Sequence, residues 1–138
     1  MAKEVKWESL FPRMQYTVYQ AIDAYRRSIA PSLKTKQGVA ILPESGLPCY
    51  AAPRIKTDSM DVHAETSALV KMLTVMGSNS KWITMALVSS EKDVWPCKSC
   101  LHKLWEFKDS KFSTIYSVQV GGSSILHLKH KILWDFFD

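Results

Sequence analysis

The chain has 138 residues, 46% of them hydrophobic and 22% charged, with a formal net charge of +5. That length and balance suit one domain (1–138) with a single buried core, and exclude a disordered, collagen-like or disulfide-stapled chain. No apolar run approaches the roughly 18 residues of a membrane span, and the first residues, Met1-Ala2-Lys3-Glu4-Val5-Lys6, have no apolar leader pattern. With only three cysteines, the reading is a protein of the reducing cytoplasm without membrane association.

Met14, Val18, Ala21 and Tyr25 recur at helical spacing and predict an amphipathic helix over 9–28, stopped before Pro31. Residues 38–42 form an apolar strand, and 47–52 its hairpin partner after the turn at 43–46. Residues 53–62 read as a polar loop. A second helix opens at His63 and runs to about Met76, with Ala68, Leu69, Met72, Leu73 and Met76 on its buried side and Gly77 ending it. Residues 82–88 are a central strand, a third helix starts at Cys97, and 114–120 and 124–128 are strands joined at Gly121-Gly122. Residues 131–137 are expected to close the chain as a short helix.

Two short motifs carry the chemistry. His63-Ala64-Glu65 opens the second helix, and Pro96-Cys97-Lys98-Ser99-Cys100 opens the third, 34 positions after His63. One imidazole and two thiolates make three zinc ligands and leave the fourth tetrahedral position open, as in a catalytic site. A closed structural site needs a fourth ligand. Cys49, His102, His127 and His130 are the available residues, and none forms a second close pair. Glu65, two positions after His63, diverges from it on a helix and is placed to move protons without ligating. Both helix starts carry free N–H groups and a positive dipole end, which favour thiolate at Cys97 and Cys100.

H-x-E followed by P-C-x-x-C is the signature of zinc-dependent nucleobase deaminases. The resemblance extends further. Residues 96–107, Pro-Cys-Lys-Ser-Cys-Leu-His-Lys-Leu-Trp-Glu-Phe, resemble the metal helix of the free-nucleoside cytidine and blasticidin deaminases. Tyr25, Gly38-Val39-Ala40, and the ending Lys131-Ile132-Leu133-Trp134-Asp135-Phe136-Phe137 are similar to other segments of that family. The resemblance implies a three-layer α/β/α sandwich around a five-stranded mixed sheet whose last strand is antiparallel. It implies zinc held by His63, Cys97 and Cys100, with Glu65 as the catalytic acid and base. It also implies base contacts from Ala64 and the carbonyl of Trp95, and a homo-oligomer, most readily a tetramer, with the aromatic tail including Phe137 near the substrate and a subunit interface.

The chain departs from the family where the sugar is held. The N-x-E stretch before the first ligand is absent, as is R-Q after the second cysteine, where Leu101-His102 stands. Asp58 and Asp61 are the expected replacement acceptors for sugar hydroxyls, while Arg54 and Lys56 would suit a phosphate instead. Three functions compete: deamination of a small cytosine-containing molecule, editing of cytosine in single-stranded DNA or RNA, and a non-catalytic zinc-folded binding module. The polymer reading would use Trp95, Trp105 and Trp134 as stacking surfaces, and core packing is the alternative use of those rings. The intact Glu65 and the hairpin ending favour the first function.

Overall fold

A computed structural model describes residues 2–122 and 124–137. In chain order the elements are β1 (Lys3–Glu4), α1 (Pro12–Arg26), β2 (Gln37–Pro43), β3 (Tyr50–Pro53), β4 (Ile55–Lys56), β5 (Asp61–Val62) and α2 (Ala64–Met76). These are followed by β6 (Trp82–Ser89), α3 (Lys98–Glu106), β7 (Thr114–Gly121) and β8 (Ser124–Ile132). The main sheet has the order β1-β8-β7-β6-β2-β3. β6 and β7 run parallel, β2 is antiparallel to both β3 and β6, and β8 is antiparallel to β7. The five expected strands are therefore all present and the last is antiparallel. The two-residue β1 adds a sixth strand by pairing Lys3 with His130 and Glu4 with Lys129 along the β8 edge.

The sheet is covered on both faces, so β2 and β6 are mostly apolar along their length instead of alternating with polar residues. β2 is buried from Gly38 to Pro43. Successive residues face opposite layers. Ala40, Ala86, Val88, Val118 and Leu128 pack against Val18, Ala21 and Ile22 of α1. Val39, Ile41, Met85, Leu87 and Ile115 pack against Ala68, Leu69 and Met72 of α2 and Leu101 and Leu104 of α3. Each large apolar side chain so buried contributes roughly 1.5–3 kcal/mol before the cost of ordering it.

Local chemistry sets the helix ends. Pro12 occupies the first turn of α1, where a missing N–H costs little. Gly77, at φ +94°, ends α2 in a conformation that side chains disfavour. The far end of α3 is tied to the sheet by Trp82, fully buried at the start of β6, whose Nε1–H donates to the Leu104 carbonyl at 2.7 Å.

Two expectations need correction. Residues 53–62 are not simply a loop: β4 and β5 form a small separate hairpin that pairs Ile55 with Val62 and Lys56 with Asp61. The chain end is not a helix from 131. β8 continues through Ile132, because Thr114 and Ile115 keep Ile132 and Lys131 in the ladder, and only Leu133–Phe136 turns as a short 3-10 segment.

Candidate metal centre

The starts of α2 and α3 meet on the side of the sheet away from α1. His63 caps α2 from an extended conformation (φ −68°, ψ 138°), and Cys97 caps α3 in the same way (φ −68°, ψ 163°). Capping from extended backbone turns both side chains outward from the helix ends and toward one another. His63 Nδ1 lies 3.4 Å from Cys97 Sγ and 3.4 Å from Cys100 Sγ. Tetrahedral zinc with nitrogen at about 2.0–2.1 Å and sulfur at about 2.3 Å sets nitrogen and sulfur about 3.5 Å apart, so the imidazole stands at nearly that spacing from both sulfurs, and all three donor atoms lie within 4.8 Å of one another. Two soft sulfurs and an imidazole suit zinc and not a hard cation. Among the described residues this is the one group of three or more such side chains close enough to share an ion.

Of the alternative fourth ligands, Cys49 packs against the α1-side core on the other face of the sheet, and the three histidines make contacts of their own. His102 packs edge-on to Phe137, His130 stacks on Tyr116, and His127 Nε2 lies 3.2 Å from Glu4. The donor set is thus three, leaving a tetrahedral ion one position for chemistry.

Glu65 sits one residue into α2, 2% exposed, and its Oε1 has no hydrogen-bond partner. Burial raises its pKa above the ordinary carboxylate value, partly offset by a bond from its own backbone, the nearby His63 and the Cys100 thiol. A buried acceptor without a partner is costly, and its persistence here points to a role with a ligand or water. The expectation of a ready thiolate fails at Cys100. Burial, reinforced by the charge of Glu65, pushes that thiol up to about 12. A metal binding here would displace this proton.

A cleft of about 330 Å³ opens over the donors, lined by Asp61, Val62, His63, Thr66, Cys97, Ser99, Cys100 and Lys103. Thr66, which the sequence reading did not single out, brings its Oγ1 to 3.5 Å from Cys100 Sγ. Of the expected substrate contacts, Ala64 is fully buried at the first position of α2, beside His63 and Glu65. Asp61 lines the cleft, but it is not a free acceptor. Arg54 Nε and Nη2 hold its two carboxylate oxygens at 3.0 and 2.8 Å. That pairing lowers the Asp61 pKa and raises that of Arg54. Asp58 lies in the exposed turn closed by the Thr57 N–H to Met60 carbonyl bond and does not line the cleft. Trp95 packs edge-on to Phe136 at 5.6 Å, and Phe137 packs on Trp105 at 5.0 Å, so the structure brings neither ring into the cleft wall. Trp105 and Trp134 lie 5.8 Å apart, with Lys108 and Lys111 over their respective rings.

The topology and site define the class of fold, that of the cytidine deaminases. The cytidine deaminase of Burkholderia pseudomallei superposes with a TM-score of 0.72 at 17% identity, covering 87% of this chain and 92% of that one. That of Mycobacterium tuberculosis gives 0.64 at 17% identity over 96% and 94% of the two chains, and that of Mycobacterium leprae 0.63 at 17% over 96% and 98%. No protein-family model and no curated sequence matches the chain.

Proposed function

We propose that the chain, as one domain, is a zinc-dependent aminohydrolase that converts a cytosine-containing nucleoside or close derivative to the uracil form and releases ammonia. The observation that carries this reading is the convergence of His63, Cys97 and Cys100 beside the buried carboxylate of Glu65, one of whose oxygens has no partner, on the fold of cytidine deaminases.

His63, Cys97 and Cys100 would hold the ion. Zinc in such a site supplies a nucleophile at neutral pH by acidifying water. Glu65 would take one proton from the attacking water and pass it to the ring nitrogen, then take the second from the hydroxyl now on that carbon and pass it to the amine, which leaves as ammonia while the carbonyl forms. Its burial, which favours the protonated form, suits a group that must hold a proton between these transfers. The backbone at Ala64 and the carbonyl of Trp95 are the proposed contacts to the base edge. Asp58, on the β4–β5 turn outside the cleft wall, is the proposed acceptor for a sugar hydroxyl that extends from the cleft, and Phe137 a contribution to the site of a neighbouring subunit. A homo-oligomer, a tetramer by analogy with the family resemblance, would cover the tail, where Trp134 and Phe137 are 43% and 37% exposed. Among the described residues no helix is long and apolar enough to cross a membrane, in keeping with the proposed cytoplasmic location.

The test is ammonia release by the purified, zinc-loaded protein. It is supplied in parallel with cytidine, deoxycytidine, their monophosphates, blasticidin-type nucleosides and single-stranded oligonucleotides. Glu65→Gln should keep the fold and one zinc per chain but lower kcat by about 10²–10⁴-fold. Turnover of the variant near that of the wild type would remove Glu65 from the mechanism, and activity confined to oligonucleotides would replace the small-molecule reading with polymer editing.

A further inference from the structure

We propose that Asp61, clamped by Arg54, is a positioning residue for the metal ligand His63, and that this pair supports the metal site instead of holding the substrate's sugar. The inference rests on the metal-site reading above.

An imidazole that ligates through one nitrogen carries its proton on the other, and that N–H needs a fixed acceptor to set the tautomer and the ring plane. His63 Nδ1 faces both sulfurs at 3.4 Å, so Nε2 is the outward nitrogen. Its neighbour is Asp61 Oδ2 at 3.5 Å. The carboxylate cannot turn away, because the guanidinium of Arg54 grips both of its oxygens in a two-pronged bond, the geometry in which arginine is most selective.

Arg54 is in turn fixed through its backbone. Its N–H donates to the Gln37 carbonyl at 2.8 Å, and its carbonyl accepts from the Ile29 N–H at 3.1 Å and from Ser28 Oγ at 2.6 Å. The support therefore runs from the segment after α1 and the start of β2, through Arg54 and Asp61, to the imidazole. The β4–β5 hairpin places these partners by pairing Lys56, two residues after Arg54, with Asp61. A carboxylate occupied on both oxygens by a cation, and facing a ligand histidine, is a poor choice for recognising a neutral hydroxyl. Asp61 nonetheless lines the cleft, so a substrate role is the competing assignment to be separated experimentally.

Zinc affinity separates the two. The full-length chain is stripped of metal and titrated with zinc against a chromophoric chelator, with KM measured separately at saturating zinc. Asp61→Ala should weaken zinc binding by about 10–100-fold, the usual loss on removing such an outer partner, and leave KM within about twofold. Asp61→Asn, which keeps an acceptor oxygen, should lose less. Arg54→Ala should weaken zinc as well, because it frees the Asp61 carboxylate to turn away from His63. Cobalt in place of zinc should show altered visible bands in Asp61→Ala if the imidazole has tilted. A purely structural role would lower the melting temperature of the metal-free chain and leave zinc affinity unchanged. Wild-type zinc affinity in Asp61→Ala, with or without a raised KM, overturns the proposal. Failure of the wild-type chain itself to bind zinc overturns the metal-site reading and is a different result.

Discussion

At Gly38 the sheet lies hard against the backbone of α1, and replacing it with alanine tests whether that contact sets the layer spacing. A Cβ at Gly38 would lie 2.1 Å from the Tyr25 nitrogen, 2.5 Å from the Ala21 carbonyl oxygen and 2.6 Å from the Tyr25 Cα. All three are helix backbone atoms, which no rotamer change can move. Restoring ordinary contact at 3.4 Å from the Tyr25 nitrogen requires about 1.3 Å of displacement, the difference between 3.4 and 2.1 Å. A shift of that size lifts Val18, Ala21 and Ile22 off Ala40, Ala86 and Val88. Overpacking a core typically costs about 1–3 kcal/mol, and a rigid backbone neighbour places Gly38→Ala at about 3 kcal/mol or above. At about 4 °C per kcal/mol for a chain of this size, the melting temperature should fall by about 12 °C in a calorimetric scan of zinc-loaded protein. Gly121→Ala is the internal control. Its Cβ would meet Leu126 Cδ1 at 2.6 Å, but that atom ends a flexible, exposed side chain, so a fall of only about 2–3 °C is expected. The metal site lies on the opposite face, so folded Gly38→Ala should still hold one zinc per chain. Equal melting temperatures for Gly38→Ala and wild type would refute the argument that this contact fixes α1.

Trp82→Phe removes the Nε1–H bond to the Leu104 carbonyl and part of a fully buried ring, and denaturant unfolding should report a loss of about 2 kcal/mol. An unchanged midpoint would show that the end of α3 is not held there. His130 has its pKa lowered, first by burial and then by the positive charge of Lys3 across the β1–β8 pair, with Tyr116 stacked on its ring. A histidine whose folded pKa is depressed adds stability above its unfolded value of about 6.5, and that stability is lost as pH falls from there through the folded value. Melting temperature should therefore fall with acidification below about pH 6.5, less steeply in His130→Gln than in wild type, and an unchanged slope would exclude His130 as a contributor.

The grouping of His63, Cys97 and Cys100 was legible in the sequence because these residues lie at helix starts. His63 and Cys97 each precede a helical apolar pattern, and Cys100 follows Cys97 by one turn, so local rules suffice to aim the three donors. The layer order came from the family resemblance and not from periodicity, because these strands are apolar on both sides; the structure divides them, with Val39, Ile41, Met85 and Leu87 in one core and Ala40, Ala86 and Val88 in the other. The burial of Glu65 and the raised thiol of Cys100 were not legible, since desolvation depends on what the rest of the chain packs around a residue. Nor was the partner of Asp61. As part of a polar stretch, Asp61 and Arg54 read as solvated charges open to a substrate. Only the β4–β5 pairing and the anchoring of Arg54 on Ser28, Ile29 and Gln37 bring the two together and turn them toward His63. Periodicity and capping act over a few residues and are written in the sequence, whereas the charge and hydrogen-bond environment of a site comes from segments tens of residues apart and is decided by the tertiary fold.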